Sequence, residues 1–173
     1  MGKEIERKFT VTNDLGSEHD ISIDRVLRIR QTYLHSGFED EVRVREEVDV
    51  LKPFSPVFTL TVKSVTGDKD VREEFETVIS KGAFQTLTLG KVFLEKVRIE
   101  FMCDTWEYVL DTYMDRTLFG DAGVKGLVEI EFGSEEQARG FQKPKWLACE
   151  VTGEVDYKNL SLWKKISRRE TSK

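Results

Sequence analysis

Few of the residues that usually announce chemistry are present in this chain. Its 173 residues include only two cysteines, two histidines and three prolines. Cys103 and Cys149 are far apart and lack companions at Cys-x-x-Cys spacing, which excludes a zinc-ribbon or disulfide framework and leaves reduced, structural thiols as the expectation. His19 and His35 are isolated, so neither a zinc site nor a Ser-His arrangement is supported. No apolar run reaches the length of a membrane span, and Met1-Gly2-Lys3-Glu4 lacks the apolar core of a secretion signal. The expected compartment is therefore the cytoplasm, with no membrane partner. Gly2 invites a myristoylation reading, but Glu6 stands where that motif wants Ser or Thr. Internal repeats, linkers and low-complexity tracts are also missing, so one domain over residues 1–173 is expected.

Charge is what the chain has in excess. Charged residues make up 34% of it, above the roughly 25% of an average soluble protein. With 27 basic and 32 acidic residues the net charge is −5, which argues against nucleic-acid or membrane attraction through the whole-molecule field. A local basic site stays open.

The pattern along the chain is mostly of period two. Strands are predicted at about 3–11, 23–34, 41–50, 57–64, 71–79, 92–103, 106–114 and 127–132. Gly67-Asp68 marks a hairpin turn, and the stretch from Thr12 to Asp20 is polar and turn-rich. Ser80 to Leu89 reads as a helix capped by Ser80, with Ala83, Phe84 and Leu87 as its apolar stripe and Gly90 as its stop. Ser134-Glu-Glu-Gln137 is a capping-box signature for a short helix through Phe141, closed by Pro144. Leu160 to Ser167 reads as a terminal helix with Leu162, Trp163 and Ile166 on its apolar side. About eight strands joined mostly by turns favour a mainly β, antiparallel fold. Closure into a barrel would remove its edges, leaving an interior for side chains or one small ligand.

The charges recur at strand spacing. Glu4, Glu6 and Lys8 share one face of an extended strand, and Arg43 with Arg45, Arg72 with Glu74 and Glu76, Lys96 with Arg98, and Glu129 with Glu131 repeat the spacing. Lys63 follows Thr59 and Thr61 in the same way. For any single pair the simpler reading is a solvated face with cross-strand ion pairs, each worth about 0.2–1 kcal/mol. As a set, Lys8, Arg43, Arg45, Lys63, Arg72, Lys96 and Arg98 stand against Glu4, Glu6, Glu74, Glu76, Asp111, Glu129 and Glu131, seven bases to seven acids. The positions between them are largely apolar: Ile5 and Phe9, Val42 and Val44, Leu60 and Val62, and Val128, Ile130 and Phe132. Buried charge carries a desolvation penalty, so such a lining calls for hydration and ligands. Basic forks suit a chain of phosphates, and clustered carboxylates suit a hard divalent cation, Mg²⁺ or Mn²⁺.

These residues resemble the CYTH superfamily, the triphosphate tunnel metalloenzymes. Glu4-Ile-Glu-Arg-Lys8-Phe is similar to its ExExK signature. Gln31-Thr-Tyr-Leu34, Arg43-Val-Arg45, Leu60-Thr-Val-Lys63, Arg72-Glu-Glu-Phe-Glu76, Lys96-Val-Arg98 and Leu127-Val-Glu-Ile-Glu131-Phe resemble the later family blocks in order. Glu150-Val-Thr152 and Tyr157-Lys-Asn-Leu160 resemble the closing segment and plug helix, so the likeness spans about residues 3 to 163. It implies an eight-stranded antiparallel tunnel that takes a small-molecule triphosphate together with Mg²⁺ or Mn²⁺. By the resemblance Glu4, Glu6, Glu129 and Glu131 hold metal, with Asp111 of Tyr108-Val-Leu-Asp111 added to that set. Lys8, Arg43, Arg45, Lys63, Arg72, Lys96 and Arg98 hold phosphates, Glu74 and Glu76 orient basic residues or join the metal, and Lys158 touches substrate. Three stretches depart from the pattern: Thr12 to Ile21 shows little of the helix expected there, the Trp106 to Asp111 spacing is longer than usual, and residues 112–126 make a longer turn.

The Glu-Ile-Glu-Arg-Lys form resembles bacterial inorganic tripolyphosphatases, which sets metal-dependent hydrolysis of tripolyphosphate as the leading expectation. A class IV adenylate cyclase is the alternative enzyme, although the His-Phe motif those cyclases resemble is missing. Thiamine, nucleoside and RNA 5′-triphosphatases share the tunnel logic. Outside that RNA end no nucleic-acid partner is expected. A polyphosphate-binding module is the non-enzymatic alternative, and dimerisation is left open.

Overall fold

A computed structural model describes residues 5–12, 21–37, 40–65, 72–120 and 123–171. Nine strands are found among them: β1 Ile5–Val11, β2 Ile21–Ser36, β3 Asp40–Asp49, β4 Val57–Val65, β5 Arg72–Val78, β6 Leu94–Cys103, β7 Trp106–Tyr113, β8 Gly126–Phe132 and β9 Leu147–Glu150. The helices are α1 Lys81–Leu87, α2 Glu135–Gly140 and α3 Asn159–Thr171. Their hydrogen-bonded order is β5-β4-β3-β2-β6-β7-β8-β1-β9, and the pairings of β1 with β8 and β9, of β3 through β5, and of β6 through β8 are antiparallel. The mainly β, antiparallel class thus holds. The strand count is nine rather than eight, because Leu147–Glu150 pairs with β1, and the order is open, from β5 to β9.

The chain divides into two compact units, Met1–Leu27 with Lys96–Tyr157, and Arg28–Glu95 with Lys158–Lys173. In the first, period-two alternation sends Phe9 and Val11 of β1, Phe101 and Cys103 of β6, Tyr108 of β7, and Val128, Ile130 and Phe132 of β8 into one core. Phe141, Trp146 and Leu147 complete it. Phe101 stacks on Tyr108 at 5.3 Å, and Trp146 packs against both rings. Each such side chain contributes roughly 1.5–3 kcal/mol by leaving water. α2 begins as expected, with the Ser134 hydroxyl accepting from Gln137 N at 3.2 Å, but the Gln137 side chain reaches back to Gly133 N at 2.9 Å. A 3-10 turn at Arg116–Phe119 occupies part of the segment read as a plain turn, and it places the Phe119 ring between those of Tyr113 and Tyr157.

In the second unit Val44, Phe58 and Phe84 form the core, with Leu34, Leu60, Ile79 and Phe93 packed on it. α1 is capped by the Ser80 hydroxyl, which accepts from Ala83 N at 3.1 Å. Only Phe84 of its expected stripe is buried; Leu87 is 38% exposed, since a seven-residue helix turns just one residue squarely onto the core. α3 inserts Leu162 and donates the Trp163 indole N–H to Val92 O at 2.9 Å, while that ring lies 5.2 Å from Tyr33. The expected turn at Gly67-Asp68 and most of Thr12 to Ile21 lie outside the described residues. No helix among the described residues is long and apolar enough to cross a membrane.

Candidate functional site

The strand faces turned away from the first core carry the charges. On β1 the alternation that buries Phe9 leaves Glu6, Lys8 and Thr10 on the opposite face, and the register sets Glu6 against Glu131 and Lys8 against Glu129 of β8. Lys8 Nζ lies 2.6 Å from Glu129 Oε1, and the second Glu129 oxygen lies 3.9 Å from Arg98 Nη2. Arg98 forks onto Asp111, its registered partner on β7, with Nε donating to Oδ1 and Nη2 to Oδ2, both at 2.8 Å. Lys96 Nζ donates to the same Oδ2 at 2.5 Å. Lys8, Glu129, Arg98, Asp111 and Lys96 therefore alternate in sign along a single chain of ion pairs.

Its inner end is dry. The side chains of Lys96 and Asp111 are 0% and 4% exposed. Burial alone would push the Asp111 carboxyl up, but Lys96 and Arg98 outweigh it and hold the group well below the usual carboxylate range. The Lys96 ammonium also lies 5.8 Å from the centre of the Tyr113 ring, the first ring of the Tyr113–Phe119–Tyr157 series.

The backbone under Lys8 is pinned from β9 and the residues after it. Lys8 N donates to Thr152 Oγ1 at 3.0 Å, and Lys8 O accepts from Val151 N at 2.8 Å. Thr152 donates in turn to Glu150, which Arg7 grips through Nε and Nη2 at 2.9 and 2.6 Å. The Arg7 hydrogen bond holds the Glu150 carboxyl below its ordinary value, and Glu150 raises the Arg7 guanidinium. Arg7 also covers the rings of Phe9 and Phe141 and donates to Ala138 O, which ties α2 to β1. Arg7 and Glu150 stand in the sequence only inside the opening and closing motifs, with no role assigned to either. The usable signal was a charge at Arg7 on the apolar side of β1.

In the second unit the charged face belongs to β3, β4 and β5. Register aligns Arg43 with Thr61 and Glu76, Arg45 with Thr59, and Glu41 with Lys63 and Glu74. Lys63 Nζ lies 2.6 Å from Glu74, and Arg43 Nη2 lies 3.8 Å from the other Glu74 oxygen. Thr61 accepts from Arg43 at 3.4 Å and donates to Glu76 at 2.8 Å, while Arg45 pairs with Glu47 at 3.0 Å. Tyr33 is buried, its hydroxyl accepting from Gln31 Nε2 at 3.3 Å. Burial, opposed by Arg43, pushes its phenol up to about 12.

The structure thus gathers Lys8, Lys96, Arg98, Asp111 and Glu129 in one unit, and Arg43, Lys63, Glu74 and Glu76 in the other. Glu6 and Glu131 are exposed and face each other in register. Arg72 is placed only by its backbone, opposite Val65. Lys158 is exposed at the start of α3, where its carbonyl accepts from Leu162 N. Glu4 lies outside the described residues. As donors, Glu6, Glu129 and Glu131 suit Mg²⁺ or Mn²⁺ in kind, being hard oxygen ligands. Among the described residues no three carboxylates are gathered as a metal group, and both Asp111 oxygens already accept from cations.

No protein-family model matches the chain. Individual proteins do. An inorganic triphosphatase of Acetivibrio thermocellus is 30% identical over 166 residues, covering 95% of each chain. One from Nitrosomonas europaea is 33% identical over 165 residues, covering 92% of this chain and 95% of its own. A solved crystal structure of an inorganic triphosphatase, 30% identical, superposes with a TM-score of 0.65 over 94% of this chain and 95% of that one. With identity of that order along nearly the full length of both relatives, and with the charged strand pairs in family order, the chain belongs to the CYTH superfamily of triphosphate tunnel metalloenzymes.

Proposed function

We propose that this protein hydrolyses a triphosphate compound, inorganic tripolyphosphate in particular, with Mg²⁺ or Mn²⁺ as cofactor. The observation that carries this reading is the alternating chain from Lys8 to Lys96, in which cations of a sheet face are held ready by carboxylates rather than scattered in solvent. The family relationship supplies the substrate class.

Water attacks a terminal phosphoryl group: an oxygen–phosphorus bond forms, the anhydride bond breaks, and the products are phosphate and diphosphate. Lys8, Lys96, Arg98, Arg43, Arg45, Lys63 and Arg72 bind phosphate oxygens and neutralise charge that grows in the transition state. Glu74 and Glu76 hold Lys63, Arg43 and Thr61 in place for that task. Glu4, Glu6, Glu129 and Glu131 would hold the divalent cation, which supplies Lewis-acid polarisation of the phosphoryl oxygens when bound. Lys158 contacts the substrate at the start of α3. Positioning the water falls to a carboxylate or lysine of these sets, and no covalent nucleophile is required.

Phosphate release from tripolyphosphate, ATP and thiamine triphosphate, each with Mg²⁺ and with Mn²⁺, tests the reading. Tripolyphosphate should turn over fastest, and Glu131→Gln should abolish turnover with the fold intact. Binding of all three without turnover of any would establish a binding module instead.

A further inference from the structure

Asp111 has the residue type of a metal ligand and the surroundings of something else. Its Oδ1 accepts from Arg98 Nε, and its Oδ2 accepts from Lys96 Nζ and Arg98 Nη2, at 2.5–2.8 Å. The carboxylate is buried, and its strand is locked beside β8, where a Cβ on Gly126 would come 2.7 Å from the Asp111 carbonyl oxygen. A divalent cation reaching those oxygens would have to displace two fixed cations from a dry position. We propose that Asp111 is a positioning residue that aligns Lys96 and Arg98 for phosphate, not a metal ligand.

The inference rests on the triphosphatase reading. Lysine and arginine lose much rotamer freedom when they grip a ligand, and a carboxylate that has already fixed both removes that loss from the binding step. Two immobilised side chains correspond to about tenfold or more in affinity. The sign is diagnostic. As mere counter-charge, Asp111 repels the polyanion, and neutralising it would tighten binding. As an aligner, its removal weakens binding.

The test is calorimetric titration of the unaltered protein and of Asp111→Asn, with Mn²⁺ alone and with tripolyphosphate in the presence of a chelator, beside steady-state kinetics. Mn²⁺ affinity should stay within about twofold, while metal-free tripolyphosphate binding weakens about tenfold or more and KM rises accordingly. Should Asp111→Asn fail to fold, Asp111→Glu keeps the charge, lengthens the arm by one methylene and carries the same comparison. Lost Mn²⁺ affinity, or metal-free tripolyphosphate binding that is unchanged or tighter, overturns the inference. Failure of the unaltered protein to bind tripolyphosphate at all would instead overturn the functional reading, and this inference with it.

Discussion

The cluster at Asp111 makes an unusual prediction about stability: a second substitution should rescue the first. Asp111→Asn keeps the side-chain shape but leaves the Lys96 ammonium, whose side chain is 0% exposed, facing an amide instead of an anion. Breaking a buried ion pair from one side costs about 3–5 kcal/mol, most of it the penalty of the charge left behind. Lys96→Met is a milder change. Asp111 keeps both hydrogen bonds from Arg98 at 2.8 Å, and the methionine packs on the Tyr113 ring that the ammonium approached. One charge-assisted hydrogen bond is lost, worth about 1.5–3 kcal/mol, partly offset by that sulfur–aromatic packing. The double variant no longer strands the fully buried Lys96 ammonium, and only the less buried Arg98 still faces the amide, so it should be more stable than Asp111→Asn alone, with a coupling of about 1–3 kcal/mol. Urea unfolding followed by circular dichroism, compared at a common slope, gives the four midpoints of the unaltered protein, both single variants and the double variant. If the double variant unfolds earlier than Asp111→Asn, Lys96 is not the uncompensated charge and the account of this cluster is wrong.

Acid should expose the same carboxylate. Because the Asp111 carboxyl is held below its ordinary value, it contributes stability above the usual carboxyl range near about pH 4 and loses that contribution as pH falls through its depressed value. The stability gap between the unaltered protein and Asp111→Asn should accordingly narrow below about pH 4, which urea midpoints on either side of that value will show. Tyr33 behaves in the opposite sense at high pH. Its phenol is raised from 10.0 to about 12, so its contribution is complete below 10.0 and is lost as pH climbs through 12. Relative to Tyr33→Phe, the unaltered protein should weaken across that window; equal alkaline midpoints would show that the phenol is not buried as described. Gly126→Ala should cost about 1–3 kcal/mol, because its Cβ meets the Asp111 carbonyl oxygen at 2.7 Å and the Leu110 side chain at 3.1 Å. Activity should fall with it, since β7 must shift, and an unchanged melting temperature would refute the tight approach.

Most of the strands were legible because their two faces differ so sharply. Val128-Glu-Ile-Glu-Phe132 is apolar and acidic in strict alternation, and the apolar set lies in the core as the pattern requires. What stayed hidden was local structure without a period. β9 is four residues long and meets β1 through only two partner positions with a shift between them, too little for alternation to declare itself. The 3-10 turn at Arg116–Phe119 is organised by the Asp115 side chain, which accepts from Thr117 N, and by the packing of Phe119 between the rings of Tyr113 and the sequence-distant Tyr157. α1 was visible through its Ser80 cap, yet its burial depended on which one of its side chains reached Phe58.

The site was legible as a list of charges and illegible as a set of pairings, because pairing is fixed by register between strands far apart in sequence. The family resemblance groups Glu4, Glu6, Glu129, Glu131 and Asp111 together as acids for a metal. Register separates them. Asp111 stands opposite Arg98, Glu129 opposite Lys8, and Glu74 opposite Lys63, so these acids face bases and form ion pairs with them. Glu6 stands opposite Glu131, acid against acid on neighbouring strands. Like charges directly across a ladder disfavour one another, so this pair differs in kind from the acid–base pairs beside it. Which acid faces a base and which faces another acid is decided by the strand register, and no single segment of the sequence carries it.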